Sequence, residues 1–499
     1  MVFSVDGMFS DHMVLRYSRP DPVWGNAPAG AEVTAEYCGA SARCTAGADG
    51  KWLMWLDAPA ENACGALTVR CGGNEIRFED VVTGAVFLCG GQSNMEQPLM
   101  CADNGRYWAE RAPRDNVRLK YIPRQCTDEA QPGWHFFADL RTDAPWRKAD
   151  RDSAAEFSAA GYIFGAKLSG ALGMPVGLID CNWGGTRIQS WLPEEEIMAQ
   201  PDTREDLRRY REVREALGER ASLLQKEYTD SVRAVYDKHE DYITGGLNDP
   251  LWFLTDDHTI RFPPEGADGF HDVPGLLYEK MVAKVVPFGL NGVLWYQGEA
   301  NGGIPEAPRY FGLFGRLLCT WRAAFRDAEL PFLTCQIASF DCTMYGINGW
   351  VELQRQQTLC AEHYKNVSMA VLNDIGMERN IHPLWKEPVA DRLCRAALKD
   401  LFGIGGGVSV PKPVSCTRDG DSFILKFSLP VVMRDGELPY AKDAAGEKLE
   451  CRVEQAGRDA LRLTPGGSAA RIAYADKAWL VPGLFAENGD PVPAFEYLL

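Results

Sequence analysis

The chain contains no apolar run near the ~18 residues needed to span a bilayer, so its sequence gives no membrane partner. Basic residues are in the minority, 52 Lys and Arg against 69 Asp and Glu, for a formal net charge of −17. Nucleic acid is gripped by clustered Lys and Arg, so it is excluded as the main partner. The acidity fits neutral or soluble substrates, and it fits equally a surface that only needs solubility. There is no P-loop and no G-x-G-x-x-G after a strand, which leaves nucleotide chemistry unsupported. The 15 cysteines form no C-x-x-C pair and none lies at zinc-finger spacing from a histidine, so neither metal nor cofactor is expected. Several, such as Cys89 and Cys335, sit in apolar runs and read as free buried thiols of a reducing compartment. Met1-Val2-Phe3-Ser4-Val5-Asp6 lacks the basic and apolar regions of a leader. A cytoplasmic protein is therefore expected, or an exported one if a leader was removed. Nothing in the sequence fixes an oligomeric state.

What is present is globular: 46% hydrophobic and 24% charged residues over 499 positions, enough for two to four structural units. Residues 1–82 read as a small β domain. Met13-Val14-Leu15-Arg16 and Glu32 to Tyr37 look like strands, with turns marked by Pro20, Gly25, Pro28-Ala29-Gly30 and Asp49-Gly50. Residues 83–404 have a different texture. A continuous apolar run at Ala85–Cys89 and further runs that read as buried strands at Pro175–Asp180, within 289–296, at Pro331–Gln336 and at Met369–Leu372 alternate with helical spacing, as over 155–172. That pattern predicts an α/β core with a parallel sheet between helical layers. A charged helical stretch from Thr203 to His239 and a loop rich in Asp, Pro and Gly mark 195–270 as an insertion. Residues 405–499 return to β texture, at Phe423–Phe427 and Leu461–Leu463.

Chemistry concentrates where those runs end. Gly90-Gly91-Gln92-Ser93-Asn94-Met95 follows the first, placing a serine at the carboxyl end of a strand, where α/β proteins build their sites. A plain βα turn with serine as N-cap has the same letters. A serine nucleophile needs a base, and there are seven histidines: His12, His135, His239, His258, His271, His363 and His382. Only His382, in Ile381-His382-Pro383 after the fifth run, lies at a carboxyl end; a surface histidine in a turn is the alternative. Trp183-Gly184-Gly185-Thr186 offers backbone N–H groups that can approach a substrate closely. Trp295-Tyr296-Gln297-Gly298-Glu299-Ala300-Asn301 offers side-chain amides, although loops are polar for many reasons.

Gly-Gln-Ser-Asn-Met at 91–95, Trp-Gly-Gly-Thr at 183–186 with Trp191, Trp-Tyr-Gln-Gly-Glu-x-Asn at 295–301 and Ile-His-Pro at 381–383 together resemble the sialate O-acetylesterase family of the SGNH-hydrolase superfamily. Met13-Val14-Leu15, Val23-Trp24-Gly25 and Gly483-Leu484-Phe485 extend the resemblance over nearly the whole chain. It implies a flavodoxin-like three-layer core and a serine esterase that removes acetyl groups from an acetylated sugar. It makes Ser93 the nucleophile and His382 the base, with the N–H groups of Ser93 and Gly185 and the Gln297 amide as oxyanion hole. Gln92, Asn94, Glu299 and Asn301 are assigned to substrate or to shaping its loop. The usual acid three residues before the histidine is replaced by Arg379. Asp374 matches an acidic position of the family motif, Asp391 is a second candidate, and a Ser-His dyad is a third arrangement. Glu279 and Gln354 stand where Asn and Arg are expected, which bears on the sugar rather than on the chemistry. An acetyl xylan esterase and a non-catalytic sugar-binding protein are the competing readings.

Overall fold

The computed structural model describes residues 2–57, 60, 62–124, 126, 144–238 and 264–499. His135, His239 and His258, and the middle of the expected insertion, lie outside the described residues. The chain divides into two compact units, Met1–Trp295 with Arg316–Phe332, and Tyr296–Gly315 with Leu333–Leu499.

In the first unit the N-terminal segment is all β. Glu32–Tyr37 alternates buried Val33, Ala35 and Tyr37 with outward polar residues, and pairs antiparallel with Ala40–Thr45 and Cys64–Cys71. The central element is one strand of 18 residues, Asn74–Gly91. Its first half alternates in burial and pairs antiparallel with Cys64–Cys71; from Val81 onward every residue is buried. The buried half runs parallel to Val14–Arg16 and to Val176–Asn182, which in turn runs parallel to Val117–Tyr121. Gly292–Tyr296 lies along its other side. The sheet is therefore mixed: the buried half of Asn74–Gly91 has parallel neighbours in Val14–Arg16 and Val176–Asn182, whereas its first half pairs antiparallel with the N-terminal strands, and Arg147–Lys148 pairs antiparallel with Val117–Tyr121 in the core that was expected to be parallel. Val117-Arg118-Leu119-Lys120-Tyr121, not anticipated as a strand, is buried throughout.

Ala159–Leu172 packs on this sheet through its glycines. A Cβ on Gly165 would meet Leu178 Cδ1 at 2.8 Å, and one on Gly161 would meet Cys89 Sγ at 2.7 Å. Phe164 and Phe87 meet edge to face, centroids 4.9 Å apart. The helix expected over 155–172 is two helices, Arg151–Glu156 and Ala159–Leu172. Ser158 starts the second by accepting from the Gly161 N–H at 3.0 Å. Likewise the charged stretch is split into Pro201–Leu217 and Arg220–Lys238 at Gly218, whose φ of +51° a side chain disfavours.

The second unit takes up the strand Phe332–Cys335 from Leu333 on; this strand neighbours Val367–Ala370, and helices Trp350–His363 and Glu387–Phe402 pack on the latter. The C-terminal strands form a four-stranded antiparallel sheet (Pro413–Asp419, Ser422–Phe427, Ala460–Pro465, Cys451–Gly457) and a three-stranded one. Leu425, Phe427, Leu461, Leu463, Ile472, Tyr474 and Val492 make their common core. Val492 also reaches the loop that leads toward His382, its carbonyl accepting from Asn373 Nδ2 at 2.9 Å.

Candidate active site

Ser93 opens a four-residue helix, Ser93–Glu96, directly after the buried strand. Gln92, not the serine, is the N-cap, and its side chain makes no capping hydrogen bond. Gly91 takes a φ of +132°, open to glycine and strained for other residues. Gln92, Ser93 and Asn94 are all buried.

Behind the serine lies a buried polar network. Arg124 donates to the Asn182 carbonyl at 2.7 Å, to Asn182 Oδ1 at 2.7 Å and to Asp180 Oδ2 at 3.2 Å, and lies 3.6 Å from Glu96. Burial pushes the Glu96 and Asp180 carboxyls above their ordinary range, and Arg124 opposes it. Glu96 Oε2 accepts from the Gly184 N–H. A Cβ on Gly184 would sit 2.9 Å from Glu96 Oε2 and 3.2 Å from Ser93 Cβ, so glycine is what allows this turn to close on the serine.

The Trp183–Thr186 turn is held from several directions. Trp183 N–H donates to the Gly91 carbonyl at 3.1 Å, and Thr186 Oγ1 donates to the Trp183 carbonyl at 2.7 Å. Trp191 Nε1 donates to Thr186 Oγ1 at 3.0 Å. His271 Nε2 reaches the Gly184 carbonyl at 2.8 Å. Its neighbour Asp272 accepts from Arg187 N, Arg187 Nε and Ser190 Oγ at 2.7–2.8 Å. Thus Gly185, assigned to the oxyanion hole, sits in a fixed segment beside Ser93. His271, passed over in the sequence because it does not lie at the carboxyl end of a strand, holds a glycine of this turn. Its signal there was only a His-Asp pair in a loop, 87 residues from the glycine it holds.

The second unit assembles the other expected residues. Gln297, Glu299 and Asn301 are buried. Gln297 Nε2 donates to Asn301 Oδ1 at 2.8 Å, and the Gln297 carbonyl accepts from Tyr310 Oη and Gln357 Nε2, both at 3.0 Å. Gln354, where arginine was expected, is buried and donates to the Ile337 carbonyl at 3.0 Å, so it braces the wall of this segment. Glu279 is exposed and belongs to the first unit. Lys386 is fully buried with its ammonium 5.5 Å from the centre of the Tyr296 ring. Burial pushes its pKa down to about 7, opposed by Glu299. The His382 backbone N–H donates to Asn380 Oδ1 at 2.9 Å. Burial first, then the nearby Lys386, holds its imidazole well below the ordinary pKa. Asp374 receives a two-pronged bond from Arg392, at 2.8 and 2.6 Å, and Asp391 pairs with Arg395 at 3.1 Å. Among the described residues there is no metal-ligating cluster of His, Cys, Asp and Glu, and no helix long and apolar enough to cross a membrane.

Residues 83–222 and 268–384 match the family model described as carbohydrate esterase, sialic acid-specific acetylesterase. The sialate O-acetylesterase of Rattus norvegicus is 26% identical over 438 residues, covering 80% of this chain and 74% of the rat protein. That of Homo sapiens is 24% identical over 66% of this chain and 55% of its own length. Among solved structures, a carbohydrate acetylesterase from Xanthomonas citri superposes with a TM-score of 0.75 at 25% identity, covering 99% of both chains. With its serine turn and histidine segment both inside the matched residues, the chain belongs to the sialic acid-specific acetylesterase family of carbohydrate esterases and is an O-acetyl ester hydrolase.

Proposed function

We propose that this enzyme deacetylates O-acetylated sialic acid through a serine mechanism on a flavodoxin-like SGNH core. Ser93 Oγ attacks the acetyl carbonyl carbon while His382 takes its proton. The tetrahedral oxyanion is met by the N–H groups of Ser93 and Gly185 and by the Gln297 amide. As the intermediate collapses, the bond to the sugar oxygen breaks and His382 returns the proton to that oxygen. Water, deprotonated by the same imidazole, then releases acetate from the acetyl-serine. Gln92, Asn94, Glu299 and Asn301 line the substrate side in this reading. Asp374 is its third catalytic member: a carboxylate has lone pairs beyond those an arginine fork uses, so pairing with Arg392 leaves it able to accept from an imidazole N–H. The observation that carries the reading is the serine turn itself. Ser93 opens the helix behind Gln92 and lies beside a glycine turn held in place by Glu96, Thr186 and His271.

The test is acetate release from O-acetylated sialic acids and from acetylated xylan by wild type and by Ser93→Ala. Ser93→Ala should lose at least ~10³-fold in kcat with an unchanged melting temperature, since it removes the attacking atom and little packing. Near-normal turnover by that variant would remove the mechanism. Faster deacetylation of xylan would move the polysaccharide reading ahead.

A further inference from the structure

The two peptide groups that join Trp183, Gly184 and Gly185 carry four polar atoms, and three are taken. The Trp183 carbonyl accepts from Thr186 Oγ1, the Gly184 N–H donates to Glu96, and the Gly184 carbonyl accepts from His271 Nε2 at 2.8 Å. The fourth, the Gly185 N–H, takes part in none of these bonds. Neither peptide is cis. In a trans peptide the C=O and the following N–H point in opposite directions across one rigid plane. Whatever fixes the Gly184 carbonyl therefore fixes where the Gly185 N–H points, which is away from His271.

We propose that His271 is a positioning residue for acyl transfer: by holding the Gly184 carbonyl it aims the Gly185 N–H at the oxyanion formed when Ser93 attacks. This rests on the serine reading above and adds to it a residue that never touches the substrate. The imidazole suits the task. It is 2% exposed and stacked on Trp183, with centroids 4.6 Å apart and planes 15° apart, so the ring does not turn freely. Trp183 is in turn tied to Gly91, two residues before the nucleophile. A carbonyl only accepts, so Nε2 must carry a proton. Burial lowers the pKa of His271, with the Gly184 bond and Asp272 opposing, and thus favours a neutral ring whose one proton sits on Nε2. Gly185 has φ +71°, a conformation glycine adopts without strain, so the peptide before it needs an external anchor to keep a single orientation.

Removing one oxyanion donor outright costs ~10²–10³ in kcat; leaving a donor in place but unaimed should cost ~10–100-fold. The test compares kcat and KM for 4-nitrophenyl acetate, with melting temperatures, in wild type, Ser93→Ala, His271→Phe and His271→Gln. Phenylalanine keeps the ring and its stack on Trp183 but has no donor. Glutamine can place an N–H near the position of Nε2. The expected result is a 10–100-fold fall in kcat for His271→Phe with KM within about twofold, and recovery of most of that loss in His271→Gln. A folded His271→Phe with wild-type kcat would overturn the proposal while leaving the serine reading intact, as Ser93→Ala would show. So would a folded His271→Gln with kcat no better than that of His271→Phe. If His271→Phe does not fold, a folded His271→Gln that loses more than ~100-fold in kcat overturns it alone. Full turnover by Ser93→Ala would overturn the serine reading and this inference with it.

Discussion

His382 and His271 are imidazoles whose pKa values are depressed by burial, yet the proposed mechanism uses them differently, and pH separates the two uses. His382 must be neutral to act as base, so a depressed pKa moves the acid limb of kcat/KM below the ordinary value of about 6.5. The enzyme should therefore keep more than half of its kcat/KM at pH 6, and His382→Ala should abolish both the limb and most activity. A limb at or above 6.5 in the pH–rate profile would contradict this. Stability should follow the same sign. Below about pH 6.5 the unfolded chain protonates its histidines while folded His271 and His382 resist, so stability is full above that pH. It falls, by up to about 1.4 kcal/mol per pH unit for each fully resisting group, as pH drops toward the folded pKa. Melting curves at pH 7.5 and 5 should show the loss, and His271→Phe should show less of it. Asp374 is tested apart from titration. Asp374→Asn weakens the clasp on Arg392, whose side chain is 8% exposed, and should cost about 1–3 kcal/mol of stability. If Asp374 also orients His382, the folded variant should lose at least ~100-fold in kcat; activity retained per folded molecule would leave Ser93 and His382 as a dyad.

At the scale of elements, the segment 297–301 depends on one glycine. A Cβ on Gly298 would lie 2.7 Å from Gln357 Nε2, 2.8 Å from Ile337 Cγ2 and 3.1 Å from Leu353 Cδ2. Gly298→Ala should cost about 1–3 kcal/mol by overpacking, and should lower kcat by displacing the Gln297–Asn301 pair. Unchanged melting temperature and kcat would show that the wall yields freely. Gly298 was legible in the sequence because its neighbours form a motif; the elements around it were legible for a different reason. Runs such as Ala85–Cys89 and Val176–Ile179 carry no polar side chain, as suits a strand covered on both faces. Val117–Tyr121 escaped because Arg118 and Lys120 break it up, so it shows no continuous apolar run like those of the other buried strands. In the fold both are buried and satisfied, Lys120 by the Ala144 carbonyl at 2.8 Å and Arg118 by the His12 carbonyl at 2.9 Å. His271 escaped because its partner is distant in sequence and is a backbone atom. No spacing or composition encodes a side chain's bond to a remote carbonyl, whereas Ser93 and His382 announced themselves by sitting at strand ends.

Over the whole molecule, all 15 cysteines are free thiols, nine of them buried. Burial pushes Cys89, Cys101, Cys181, Cys335 and Cys360 well up from the ordinary thiol range. In the native protein a thiol reagent should therefore label Cys38, Cys64 and Cys319 quickly and the buried set slowly. After denaturation without reductant the count should approach 15, as the proposed reducing compartment requires. A count near one would place the protein in an oxidising compartment. Net charge bears on the substrate. A chain at −17 repels an anionic sugar over about a Debye length, ~10 Å at 0.1 M salt, whereas a neutral acetylated sugar meets no such field. If O-acetylated sialic acid, a carboxylate, is the natural substrate, its kcat/KM should rise as salt screens the repulsion from 0.02 to 0.2 M. The value for 4-nitrophenyl acetate, which is uncharged, should stay flat and so control for effects of salt on the enzyme itself. A fall with salt for the sialic acid alone would mean that a local cationic patch overrides the net charge. Equal, flat responses would mean that the site is insulated from the global field, and would remove charge as an argument between the anionic and the neutral sugar.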